Sequence, residues 1–194
     1  MFQIIDNLAS ESLAARLETM CKTEVFWGFS ENIAGVNKEE LIKYNVPGAN
    51  YDGPQYGFSH WALHPNGETS QFFEKVLPLM YALEEKTGTP IKEIYRIRIA
   101  LSTTVGKPVQ NFPHVDLNQP HKVLLYYVND SDGDTFMFNE TYSPEDEDSI
   151  PNLTLKERVK PKRNRAILFD GLTYHNSSAP VNNTARYVIN IDFN

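Results

Sequence analysis

From Glu93 onward the chain gives up helical spacing for alternation, and that change of period narrows its fold more than any other property. In Glu93–Leu101, Tyr95, Ile97, Ile99 and Leu101 take one parity and Arg96 and Arg98 the other, as in a strand with one dry face. Further strand-like segments at 122–129, 134–138, 156–160, 165–169 and 185–193 are separated by short turns rich in Gly, Pro and Asn. This pattern predicts an all-β sandwich or barrel with Greek-key connections. A chain of 194 residues with 41% hydrophobic and 22% charged residues is long enough to bury one full core.

Residues 1 to about 90 read as a mainly helical support with a long loop. Ser10 is the expected N-cap of a helix whose Leu13, Ala14, Leu17, Met20 and Cys21 form one apolar stripe. Ser70 starts a second, carrying Phe72, Phe73, Val76, Leu77, Met80 and Leu83, broken at Pro78 and stopped at Gly88. Val25–Phe29 reads as a short apolar strand, and Tyr44–Gly67, with Tyr51, Tyr56, Phe58 and Trp61, as a long ordered loop.

A net charge of −7 and a pI near 5.2 argue against a general grip on nucleic acid, which depends on Lys and Arg neutralising phosphates. The basic run Lys156, Arg158, Lys160, Lys162, Arg163 and Arg165 is expected to be solvated and offset by the acidic run Glu145–Asp148. No apolar stretch reads as a secretory signal or a membrane span, and the single Cys21 cannot form an internal disulfide. A cytoplasmic location is the expectation.

The chemistry is concentrated in four residues. His114 and Asp116 are two apart in a stretch that reads as extended, so they project to one side. A second imidazole from His175 completes a set of two histidines and one carboxylate, which leaves adjacent positions open on a ferrous ion. Arg186 and Asn190 share one side of the last strand, opposite Tyr187, Ile189, Ile191 and Phe193. A guanidinium inside a barrel needs an anion, and its planar fork suits a carboxylate. The competing reading pairs Arg186 with an acid such as Asp192. His60, His64 and His121 read as loop or solvent-facing residues.

Taken together, His114-Val-Asp116, Lys122–Asn129, Gly133–Phe138, Asn164–Asp170, Tyr174-His175 and Ala185–Phe193 resemble the 2-oxoglutarate- and iron(II)-dependent dioxygenases. The likeness is greatest to the prolyl-4-hydroxylase-like branch, including its small stand-alone, phage-type members. It covers residues 93–194. It implies one domain, with 1–92 as support and loop and 93–194 as core, folded as a double-stranded β-helix: a jelly-roll, cupin-like barrel with the helices along its outer sheet.

The resemblance implies Fe(II) on His114, Asp116 and His175, and 2-oxoglutarate as cosubstrate with its distal carboxylate on Arg186. Oxygen would be reduced as a C–H bond is hydroxylated and succinate and CO2 are released. Tyr127 occupies the place of a cosubstrate tyrosine, and Asn190 and Thr135 offer further hydrogen bonds. Between Leu101 and His114, where relatives carry another tyrosine, this chain has Thr103, Thr104 and Asn111. Peptidyl proline is the leading substrate expectation, a free amino acid or small metabolite the second. A jelly-roll module that holds a metal without catalysis is the alternative of another class. The stretches 44–61 and 139–150 are candidate lids.

Overall fold

Strand β10 (Ala185–Phe193) lies at the centre of the molecule, paired antiparallel to β4 (Ile94–Thr103) on one side and β5 (Lys122–Tyr127) on the other. The computed structural model describes residues 1–34, 49–144 and 152–194. Around that centre a seven-stranded sheet runs β1-β8-β5-β10-β4-β3-β2, with β1 at Phe2–Asp6, β2 at Gly28–Ser30, β3 at Gly57–Leu63 and β8 at Arg165–Asp170. A three-stranded sheet, β7-β6-β9, is built from Leu155–Val159, Thr135–Thr141 and Thr173–Ser177. All pairings are antiparallel. This is the expected jelly-roll barrel.

Parity divides the core in two. The outward side chains of the large sheet, including Ile97, Ile99, Leu124, Tyr126, Leu168, Ile189 and Ile191, pack against the helices. The inward ones, Val123, Leu125, Tyr127, Ile167, Phe169 and Val188, meet Met137 and Val159 of the small sheet. Helix α1 (Glu11–Thr23) begins where the Ser10 hydroxyl accepts from the Leu13 N–H, and it buries Ala14, Leu17, Met20 and Cys21. Fully burying a side chain such as Leu17 stabilises by about 1.5–3 kcal/mol, so this stripe is what holds α1 on the sheet. Burial pushes the Cys21 thiol up to about 12, which leaves it an unreactive core residue.

The second helical stretch splits into α2 (Phe73–Val76) and α3 (Pro78–Thr87). Pro78 has no N–H for the preceding turn but fits the start of a new helix, and Gly88 at φ 68° closes α3 by donating to the Glu84 carbonyl.

The N-terminal half differs from expectation by supplying strands. Phe2–Asp6 pairs with β8, and residues 57–63, read as loop, form β3 beside β4. Both are edge or near-edge strands, which need only one buried face and so carry a weak alternating signal. The expected strand at Val25–Phe29 forms later, at Gly28–Ser30, because the Val25 N–H is still bound to the end of α1 through the Met20 carbonyl. Residues 44–48 and 145–150 of the two candidate lids lie outside the described residues, as does the acidic run Glu145–Asp148. Among the described residues the basic run meets other acids: Arg165 and Lys162 pair with Asp6, Arg163 with Glu11 and Glu18, and Arg158 with Asp134. No helix among the described residues is long and apolar enough to cross a membrane.

Candidate active site

Register between β4 and β10 stacks the inward polar side chains in ranks. Arg186 lies opposite Ser102, Val188 opposite Ala100, Asn190 opposite Arg98 and Asp192 opposite Arg96. Thus Arg96 and Arg98 stand on the inner face, within the barrel. On the opposite wall, β6 contributes Thr135, and β9 contributes His175 across from Met137. His114 comes from a segment that does not form the expected regular strand; it touches β9 through isolated bridges at Gln110–Ser178 and His114–His175. Pro113 lacks a ladder donor, but His114 and His175 exchange both main-chain hydrogen bonds at 3.0 Å. That reciprocal pair brings two residues sixty-one positions apart side by side.

The structure brings His114, Asp116 and His175 together: one ligand atom from each lies within 4.8 Å of the others. The Nδ1 atoms of both rings lie on main-chain carbonyls two residues back, His114 on Phe112 at 3.0 Å and His175 on Thr173 at 3.1 Å. A carbonyl can only accept, so each Nδ1 carries the proton and each Nε2 keeps its lone pair for a metal. Asp116 accepts from Arg96 at 2.5 Å through Oδ1 and from Asn190 at 3.0 Å through Oδ2, with the His175 Nε2 3.5 Å away. One carboxylate oxygen is therefore held by a guanidinium while the other faces the imidazoles. Asn190 stands at this end of the cavity.

Burial is the largest influence on each of these three residues. It drives His114 down to about 4, helped by the neighbouring His175. It also pulls on His175, but the hydrogen bond and charge of Asp116 outweigh it and raise that ring above the ordinary histidine value. Burial opposes ionisation of Asp116, yet His175 and Arg96 hold the carboxyl well below the usual range. Asp192, fully buried and paired with Arg96, is pushed up to about 7 by burial and by the charge of Asp116. A cation held by Asp116 would compete with the protonated form of the His175 ring.

At the other end, Arg186 is 4% exposed and makes no ion pair among the described residues. Its Nη2 donates to the Thr135 hydroxyl at 2.9 Å, as does the Tyr127 hydroxyl at 2.8 Å. With both lone pairs engaged, the Thr135 proton is free to donate. Arg186 also lies 5.7 Å from the Tyr127 ring centroid. Its Nε is buried and has no partner. Gly133 is required beside it, since a Cβ there would sit 2.6 Å from the Ser178 carbonyl oxygen and 3.1 Å from the Arg186 Cδ. Arg186, Thr135 and Tyr127 therefore form one cluster, in which Tyr127 braces the Thr135 hydroxyl from behind while Arg186 and Thr135 line the cavity with donors suited to an anion.

The same cavity is lined by Arg98, Asn111, Asn176 and Ile33, none of which was singled out as a site residue. Arg96 and Arg98 were legible as one parity of a strand, but spacing does not say which parity faces the barrel: the dry one packs against the helices. Asp192 pairs with Arg96 and not with Arg186. Of the remaining histidines, His60 sits in β3, bonded to the Phe26 carbonyl and the Ser70 hydroxyl; His64 shapes the turn after it. His121 is 6% exposed, not solvent-facing, because Gly171 lets the ring lie where a Cβ would come within 2.1 Å of it.

No family model and no curated protein matches the chain. Solved structures do. A prolyl hydroxylase from Trichoplax adhaerens, in complex with a hypoxia inducible factor oxygen degradation domain peptide fragment, matches with a TM-score of 0.60 at 13% identity, over 99% of this chain and 82% of that one. A Pseudomonas putida prolyl-4-hydroxylase gives 0.56 at 15%, over 99% and 91%. The non-heme alpha ketoglutarate dependent epimerase SnoN from nogalamycin biosynthesis gives 0.65 at 10%, over 99% and 77%. The chain shares the fold of these oxygenases across nearly its whole length.

Proposed function

We propose that the protein is an iron(II)- and 2-oxoglutarate-dependent dioxygenase that hydroxylates an aliphatic C–H bond. The observation that carries the reading is a sealed guanidinium with an unpartnered Nε in the same cavity as two imidazoles and a carboxylate whose ligand atoms converge. A metal staple needs no such anion receptor, which weighs against a non-catalytic module. His114, Asp116 and His175 would hold Fe(II), and Arg186 and Thr135 would take the far carboxylate of 2-oxoglutarate, with Tyr127 positioning the Thr135 hydroxyl. When bound, the iron supplies oxygen activation: one oxygen atom of O2 enters succinate as CO2 leaves, and the other enters the substrate C–H bond.

The chain's own residues fix geometry and charge. The main-chain carbonyls of Phe112 and Thr173 hold the imidazole tautomers, Arg96 and Asn190 hold Asp116, and the apolar walls Leu125, Val188 and Phe169 limit water. For the substrate, likeness to two prolyl hydroxylases supports peptidyl proline. A free amino acid or small metabolite is favoured by Arg98, a second guanidinium lining the cavity. Purified protein with Fe(II), ascorbate and 2-oxoglutarate should release succinate, and His114→Ala should reduce that release at least a thousandfold; full turnover by the variant contradicts the assignment.

A further inference from the structure

The chain has seven arginines, and their partners sort them. Arg96, Arg158, Arg163 and Arg165 each meet a carboxylate, and Arg16 is exposed. Only Arg98 and Arg186 are drawn out of water with no carboxylate partner among the described residues, and both line the same cavity. Arg186 is accounted for by the cosubstrate. Arg98 is not.

Arg98 stands opposite Asn190, while Arg186 stands opposite Ser102. Four residues of strand separate these ranks, roughly 13 Å at about 3.3 Å per residue. One short diacid held at Arg186 would span that distance to the metal ligands, and Arg98, in the Asn190 rank beside them, remains for a second ligand. There the guanidinium spends one donor, Nη2, on the Ile33 carbonyl at 3.0 Å, and Ile33 is itself tied to the Gln55 carbonyl. A guanidinium has five donors, so the fork remains available to a second acceptor. Beside it, Asn190 Oδ1 is buried and unpartnered, an acceptor suited to an N–H of the same ligand.

Charge points the same way. Arg98, Arg186 and Asp116 line the cavity, and Arg96 and Asp192 pair behind Asp116. A ferrous ion and a dianionic cosubstrate cancel, which leaves one positive charge uncompensated among the described residues. A closed site with unbalanced charge bears a desolvation penalty that an anion removes.

Resting on the dioxygenase reading, we propose that Arg98 receives a carboxylate of the substrate, and that the substrate is a small free acid of the amino-acid type. An internal proline of a peptide has no charge to offer at this point. Arg98 is then a specificity-determining residue that holds the acid beside the metal ligands and points the target C–H bond toward the metal.

The test uses the full-length protein loaded anaerobically with Zn(II) and 2-oxoglutarate, and a panel of the common L-amino acids, each beside its carboxamide. Thermal shift reads binding, and coupled succinate release by the Fe(II) form reads turnover. At least one free acid is expected to stabilise the loaded protein tenfold more effectively than its amide, and Arg98→Gln should abolish that preference while Arg98→Lys retains part of it. The wild-type comparison stands even where a variant folds poorly. Three results overturn the proposal: no acid surpasses its amide, proline-containing peptides capped at both ends stimulate succinate release as well as any free acid, or Arg98→Gln raises the 2-oxoglutarate requirement and leaves the acid preference intact. A wild-type protein that releases no succinate at all refutes the dioxygenase reading instead.

Discussion

Among the described residues, the two ends of the cavity each present a guanidinium without a carboxylate, but they are built differently. Arg186 is sealed behind Gly133, linked to Tyr127 through the Thr135 hydroxyl, and keeps a buried Nε unmet. Arg98 is partly exposed and, among the described residues, is tied to the main chain at Ile33. A rigid, sealed receptor suits one ligand of fixed length that returns every cycle; an open one suits a ligand that is exchanged. In our reading the first end is matched to the cosubstrate and the second to the substrate.

The largest effect that could break this contrast comes from Arg186→Ala. Removing a buried partner of a hydrogen-bonded anion costs about 3 kcal/mol, so half-saturating 2-oxoglutarate should rise on the order of 100-fold. An unchanged requirement, read from uncoupled succinate release, would place the anchor elsewhere. Thr135→Val tests the hydroxyl alone: losing one charge-assisted donor predicts a rise of roughly tenfold, about 1.4 kcal/mol. If Thr135→Val matches Arg186→Ala, the cluster acts as one unit and not as separable donors.

The smallest effect concerns how the sealed end is preset. Asp132 accepts from the main-chain N–H groups of Val181, Asn182 and Asn183 and from the Asn182 side chain, which folds the turn leading into β10. Burial opposes its ionisation, but these donors prevail and lower it from 3.8 to about 2. Its stabilisation is therefore complete above the unfolded value and is lost as pH falls through the folded one. Asp132→Asn should lower the melting temperature by about 2–4 °C at pH 7, near 1 kcal/mol after solvent screening, and the gap should narrow between pH 4 and pH 3. A gap that is constant over that range assigns the turn's stability to something other than this carboxylate.

Much of this was legible because a strand's parity is a strong signal where one face is buried. Arg186, Val188, Asn190 and Asp192 against Ile189, Ile191 and Phe193 could be separated from spacing alone. What spacing cannot supply is which parity faces the barrel interior. In β4 the charged side is the inner one, so Arg96 and Arg98 were missed as cavity residues although their alternation was clear. The partners Asp6, Glu11 and Glu18 of the basic run are set by where α1 and β1 dock, a tertiary choice with no local signature. His175 was found by its chemistry, while its strand β9, only five residues with Asn and Ser among them, gave no apolar alternation to read.

The central claim is that one cavity holds a metal and a diacid together. Anaerobic titration of the purified protein with Fe(II) and then 2-oxoglutarate tests it most directly. A weak visible charge-transfer band should appear only when both are present, and Arg186→Ala should require far more 2-oxoglutarate to reach it. Saturating iron and 2-oxoglutarate with no band, or a band that forms equally well in Asp116→Ala, would contradict the account.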